Sequence, residues 1–275
     1  QVMETVIKPQ RKLSLNLAEL IRYRELLFYF AWRDIKVRYK QTVVGAGWAV
    51  IQPLASTAVF TLFFNKVAGI QTGSQAVPYA VFAYLGLMYW NLFSGSLTKA
   101  SNSIVDNQGV ITKIYFPRLI PPLSSGVLSL VDFVISAVFF GFIMYIYHIT
   151  PSIGGILLII PAAAIALIAA LGAGMFFAAL NVKYRDVRQA LPFLIQILMF
   201  LTPVIYPVSL VPERFQWVLY LNPVCGVITL MRYSLLGLGN INTFYLAISG
   251  IMSVLVFIFG IFYFKAKEKG FADII

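Results

Sequence analysis

Few residues in this sequence could do chemistry, and they lie far apart. Asp132 is the one charge well inside a long apolar run, about ten residues beyond Pro121 and Pro122 and so roughly 15 Å along a helix. An ionised carboxylate at membrane depth costs on the order of 2.5–3.5 kcal/mol, so it must face other helices, a cavity or a cation, or hold a proton. Two readings follow: a pathway or coupling residue, or a hydrogen-bonded tie between helices. The only cysteine, Cys225, and the only histidine, His148, exclude a disulfide framework within one chain and any metal site of clustered Cys and His. No GxxxxGK[ST], HExxH or GxSxG sequence occurs, and no apolar run carries two acidic residues. The chain therefore shows no nucleotide cradle, no catalytic cluster for acid–base or metal chemistry, and no cofactor site of its own.

The elements that hold these residues are membrane spans. Hydrophobic residues make up 60% of the chain, charged residues 11%, and mean hydropathy is +0.85, whereas about a quarter of the residues in soluble domains are charged. A net charge of +11 does not argue for nucleic acid, because the cations are dealt out between apolar runs rather than gathered on one face. They report topology instead.

The stretch from Arg24 to Leu54 changes character partway. Phe28, Trp32, Ile35 and Tyr39 recur at helical spacing, and Arg33, Lys36 and Lys40 recur on another face. This reads as a helix lying in the membrane interface beside anionic headgroups. The plainer alternatives are a soluble surface helix or the basic start of a signal peptide, which should stand nearer the start of a chain. After Lys40 no charge appears until Lys66, so the interfacial helix turns at Gly45 and Gly47 into a first span.

Six spans are expected, at about 42–64, 79–97, 121–147, 153–180, 190–206 and 244–264. The chain then divides into an amino-terminal region, 1–41, a transmembrane domain, 42–264, and a tail, 265–275. Between Pro207 and Thr243 the sequence is apolar but broken by Pro212, Pro223, Gly226, Gly237 and Gly239. Short helices that dip in and return are expected there, tolerable only where protein or a watery cavity satisfies the backbone. Of the 21 Lys and Arg, 18 fall in alternate loops, the amino-terminal region and the tail. That bias places both termini in the cytoplasm and makes the chain a multi-pass protein of the cytoplasmic membrane. The aromatics Trp48, Tyr84, Tyr89, Trp90 and Tyr206 either anchor at the interfaces or offer a pathway on which sugar rings could stack.

Several stretches match a family pattern in order along the chain: WRDIKVRYKQTVVGAGWAVIQP at 32–53, NQGVITKIYFPR at 107–118, NVKYRDVRQALPF at 181–193, TPVIYP at 202–207 and LNP at 221–223. Together they resemble the membrane subunit of polysaccharide ABC exporters, the group that moves O-antigen, teichoic acid and capsule-type glycans. The resemblance implies an all-α homodimer of six-span permeases with two separate ATPase subunits, which bind the ATP and Mg. It also implies a channel for a lipid-linked glycan, and re-entrant helices between the fifth and sixth spans. A short coupling helix would sit between the second and third spans, with Asp106, Asn107, Val110, Ile111 and Lys113 docking on the ATPase and Phe116, Pro117 and Arg118 forming an elbow. The interfacial helix would stand where the lipid-linked end enters. There Trp32, Arg33, Arg38 and Lys40 would meet the interface or a pyrophosphate, since Arg binds phosphate oxygens with two donors; simple anchoring to anionic lipid is the plainer reading. The rivals are an ABC exporter of lipids or drugs, an ion-coupled secondary carrier and an intramembrane transferase.

Overall fold

The computed structural model describes residues 17–40, 45–70, 72 and 77–271. The expected cytosolic region up to residue 16, the start of the first span at 42–44, most of the loop at 71–76 and the last four tail residues lie outside the described residues. The described residues are helical, with no strand among them. The helices are α1 (Leu17–Arg22), α2 (Arg24–Lys40), α3 (Gly45–Val67), α4 (Tyr79–Asp106), α5 (Gln108–Ile111), α6 (Ile120–Ile146), α7 (Ile153–Lys183), α8 (Val187–Leu201), α9 (Glu213–Leu219), α10 (Pro223–Leu236) and α11 (Thr243–Lys267).

Helix ends follow local chemistry. Ser152 accepts a hydrogen bond from Gly155 N, Asn222 from Val224 N and Asn242 from Phe244 N, so each caps the helix after it. Pro223 stands at the first turn of α10, where its missing N–H costs nothing. That helix ends on Gly237, whose φ of 65° favours glycine.

Among the described residues four helices, α3, α6, α7 and α11, are long and apolar enough to cross a membrane, and α9 with α10 makes a fifth if that pair, bent by 111°, counts as one span. The expected six therefore separate into different kinds. α4 has 28 residues, long enough at about 1.5 Å each, but Asn91, Ser94, Ser96, Thr98 and Lys99 dilute its apolar character. α8 has only 15 residues, because the TPVIYP turn ends it at Leu201, earlier than the sequence suggested. The bend between α9 and α10 falls in the segment expected to be broken by proline and glycine.

α4 is the centre of the fold. It lies between α6 and α7, α11 covers another side of α7, and α10 wedges against α4, α7 and α11. Lipid offers helices no hydrophobic drive to associate, so they approach through small residues. A Cβ on Gly260 would stand 1.9 Å from the Gly172 carbonyl oxygen, and one on Gly172 would stand 2.4 Å from the Cα of Phe257. Only glycine at both positions permits this crossing of α7 and α11. Tyr84, Tyr89 and Trp90 are buried within the chain, against Phe139 and Phe140, Phe133, and Phe93 respectively. These three rings are core packing in α4 rather than the lining of an open path.

Candidate functional site

Two places gather the residues singled out above. In the first, one carboxylate draws three helices together. Tyr39 Oη donates to Asp132 Oδ1 at 2.6 Å, and Arg38 Nη2 and Lys99 Nζ stand 3.1 and 3.6 Å from Asp132 Oδ2. Lys99 Nζ also donates to Ser129 Oγ at 3.1 Å. One turn further along α6, Ser136 Oγ donates to the Ala49 carbonyl of α3 at 2.7 Å. Helix α2 is thus tied to α6 and α4 beside the start of α3.

The half-buried Asp132 meets the demand of its position by accepting a hydrogen bond from Tyr39 and pairing with the Arg38 and Lys99 cations. Burial, with the Asp132 carboxylate beside it, raises the Tyr39 phenol well above its ordinary value. Tyr39 therefore stays a neutral donor. Two cations, Arg38 and Lys99, around one carboxylate leave a positive excess. A cavity of about 160 Å³ opens beside them, lined by Arg38, Lys99 and Asp132 together with Trp48, Gln52 and Asn91. It has room for several waters or one phosphate-sized anion.

The faces of α2 differ from the sequence expectation. Phe30 and Ala31 are buried, and Asp34, Arg38 and Tyr39 turn partly inward with them. Phe28, Tyr29, Trp32, Lys36 and Lys40 are exposed, so aromatic and basic residues share the outer face instead of taking opposite ones. Phe28 stacks on Trp32 at 6.2 Å and the Lys36 ammonium lies 5.6 Å above the Trp32 ring. Arg33 pairs with its neighbour Asp34 at 2.7 Å and covers Phe30. The periodicity argument failed because it sorted residues by polarity, while Asp132 pulls the polar Arg38 and Tyr39 inward.

The second place is the end of the bundle that carries α5. Asp106 and Arg188 form an ion pair of 3.1 Å, both about half exposed. Nearby, Asn181 Nδ2 donates to the Ser101 carbonyl and to Asn102 Oδ1 at 3.2 and 3.0 Å. Two loops remote in sequence, 106–118 and 183–188, therefore form one surface. Asn107 is buried and donates to the Ser103 carbonyl at 2.7 Å. Ile111 is also buried, in a cluster with Phe30, Ile104, Phe116, Leu119 and Ile120, and Val110 packs against the same cluster. These apolar residues fix α5 to its own chain. What α5 presents outward is Gln108 and Gly109, with Asp106 before it and Thr112 and Lys113 after it.

At the expected elbow, Phe116 packs on Phe30 at 5.7 Å, which connects the α5 loop to α2. Pro117 is buried, and Arg118 Nη1 donates to the Glu268 carbonyl after α11. Of the remaining aromatics, Trp48 is half exposed at the mouth of the Asp132 cavity, and Tyr206 closes the TPVIYP turn with its hydroxyl on the Leu201 carbonyl at 3.1 Å.

Sequence reasoning missed Lys99, Tyr39 and Arg188 as partners, and it missed Arg232 altogether. Arg232 is buried in α10 among backbone carbonyls: Nη1 donates to Pro203 O at 2.6 Å and Nη2 to Phe82 O at 3.3 Å and to Val204 O, while the guanidinium lies 3.4 Å above the Phe82 ring. A lone cation in an apolar, proline-broken segment was the available signal, since such a charge needs a cradle of carbonyls where no acid is near.

Comparison with known proteins agrees with this architecture. Residues 25–236 match the family described as ABC-2 type transporter. The chain is 28% identical over 264 residues to an O-antigen export system permease protein RfbA from Klebsiella pneumoniae, covering 96% of this chain and 99% of that one. It is 30% identical over 214 residues to RfbA from Myxococcus xanthus, covering 77% and 80%. The polysialic acid transport protein KpsM from Escherichia coli is 20% identical over 200 residues, covering 73% and 77%. The helical membrane architecture and the family match over most of its length together establish that this chain belongs to the ABC-2 type transporter family and is a membrane permease homologous to polysaccharide exporters.

Proposed function

We propose that the chain forms the channel subunit of an ABC exporter that carries a lipid-linked polysaccharide, O-antigen or a similar glycan, across the cytoplasmic membrane. The observation that carries this reading is the single exposed surface made by the 106–118 and 183–188 loops around the Asp106–Arg188 pair. A protein without a nucleotide cradle needs a place where a partner ATPase can push, and this surface lies at the basic end of the bundle. It presents polar Asp106, Gln108, Thr112, Lys113 and Arg188 together with exposed Ile114, Tyr115 and Tyr184, while Ile111 and Phe116 are buried and fix it to the chain.

In this reading two permeases pair with two ATPase subunits, and ATP and Mg stay with the ATPase. Six crossings, with α4 and α8 among them, put both termini in the cytoplasm. Force applied at α5 reaches α2 through Phe116 and Phe30. The outer face of α2, with Trp32, Lys36 and Lys40, sits at the headgroup level. The positive excess of Arg38 and Lys99 around Asp132 suits the phosphate of a lipid-linked glycan arriving there. The relatives named as O-antigen export permeases support the class of cargo.

Charge reversal tests the surface. Asp106→Arg or Arg188→Asp alone should cut ATPase-driven export several-fold, and the double exchange should restore most of it. Undiminished export in both single variants would remove the shared surface from the account.

A further inference from the structure

At the other end of the bundle, the start of α4, helices α9 and α10 and the start of α11 surround a cavity of about 940 Å³. This lies toward the upper end of the range of about 300–1,000 Å³ usual for small-molecule sites. Its wall is neither an apolar groove nor a charged cleft.

Phe244 and Tyr245 offer rings to it, while Phe82, under the Arg232 guanidinium, and Tyr220 line it but are buried. Tyr220 and Tyr245 stack at 5.1 Å, and Phe244, 68% exposed, presents its ring where α11 begins. Among these rings stand the amides of Gln216, Asn240 and Asn242. Asn242 accepts from Phe244 N at 3.0 Å and Gln216 donates to the Val211 carbonyl at 3.0 Å. Among the described residues nothing takes up Asn242 Nδ2, Gln216 Oε1 or either end of the Asn240 amide. Donors and acceptors are therefore both on offer.

The charged groups in the wall decide which ligand fits. Arg232 is engaged with backbone carbonyls and with the Phe82 ring, so it offers no open fork to a phosphate. Glu213, the other charged residue of the wall, would repel an anion. An acyl chain would leave the three amides unpaired, a cost of about 1–3 kcal/mol for each group so stranded. A neutral sugar suits the accessible rings and the amides together: its C–H face lies against Phe244 or Tyr245, and its hydroxyls both donate and accept.

We propose that the cavity is a saccharide-binding site that holds a short neutral stretch of glycan on each permease chain, at the face opposite the ATPase surface. The identity of the ligand as exported glycan rests on the exporter reading above. The site takes the leading or trailing sugars as they clear the bundle and slows their return.

The test uses the full chain with its partners in native cells. Gln216→Cys and Asn242→Cys are introduced singly, and the native Cys225, fully buried, stays silent. Cells that make the glycan and cells whose glycan synthesis is switched off are treated with a membrane-impermeant maleimide. Labelling of both positions should be at least threefold slower when glycan is present. Tyr147→Cys, exposed on the neighbouring turn after α6, should label at one rate throughout. Equal rates at 216 and 242 in the two cell types would overturn the proposal, as would protection that persists in glycan-free vesicles of phosphatidylethanolamine and phosphatidylglycerol, which would assign the cavity to lipid. Export measured in the same cells separates the failures: equal labelling with export still dependent on this chain sinks the cavity alone, whereas glycan export that survives deletion of the chain sinks the exporter reading and this inference with it.

Discussion

Tyr39 and Asp132, 93 positions apart, share a hydrogen bond of 2.6 Å that joins α2 to the third long helix of the bundle. The bond explains how a carboxylate is tolerated at that position and why α2 presents its aromatic and basic residues together on the outside. It also makes α2 a part of the bundle rather than an appendage resting on lipid.

The phenol of Tyr39 is raised by burial and by its carboxylate partner, which fixes a sign. Its stabilising contribution is full below the unfolded value of about pH 10 and declines as pH rises above it. The melting temperature of the purified permease should therefore fall faster between about pH 10 and 11 than that of Tyr39→Phe, although the variant starts lower at neutral pH. Parallel curves for the two proteins would show that the bond contributes nothing.

Asp132→Ala strands Arg38 and Lys99 beside each other. The loss should be about 2 kcal/mol, since hydrogen bonds to charged groups contribute about 1.5–3 kcal/mol. Lys99→Met added to Asp132→Ala should recover part of it, because neighbouring groups couple by about 0.5–3 kcal/mol in double-mutant cycles. Thermal unfolding in detergent reads both effects, and strict additivity would argue against the cluster.

Gly260→Ala places a methyl 1.9 Å from the Gly172 carbonyl oxygen and must force α7 and α11 apart. Overpacking of this kind costs roughly 1–3 kcal/mol, and the folded yield should drop with it. Gly250→Ala, on the same helix with nothing within 4 Å, should be neutral or mildly stabilising.

Arg232→Met removes every donor from the carbonyl cradle of Pro203, Val204 and Phe82, at about 1–3 kcal/mol for each stranded group. The variant should fail to accumulate as folded protein. Arg232→Lys, with a compact ammonium in place of the planar fork, should fall between it and the parent in the yield of monodisperse protein.

The helical membrane architecture was legible because long apolar runs leave little choice of structure. Asp132 was legible as a problem, a carboxylate in an apolar run, but not in its solution, because Tyr39, Arg38 and Lys99 reach it from two other helices. α4 misled for the opposite reason. Its aromatics suggested an interface or a path, yet three neighbouring helices bury them, and burial by neighbours leaves no mark on the local pattern. The ends of α8 and the cradle of Arg232 depend on a turn whose carbonyls have meaning only once α10 is in place. Ile111 shows the same limit at small scale: an apolar residue in a polar loop signals an anchor, and only the fold shows that it anchors to its own chain.

The central claim is that a separate ATPase drives this permease through the α5 surface. The most direct test is purification from native membranes in mild detergent of the parent chain and of a variant carrying Gln108→Ala and Lys113→Glu, which leaves buried Asn107 and Ile111 intact. The account predicts a P-loop ATPase at about one copy per permease with the parent and its loss from the variant, with both permeases monodisperse. Absence of any such ATPase from the parent across several detergents, or its full retention by the variant, would contradict it.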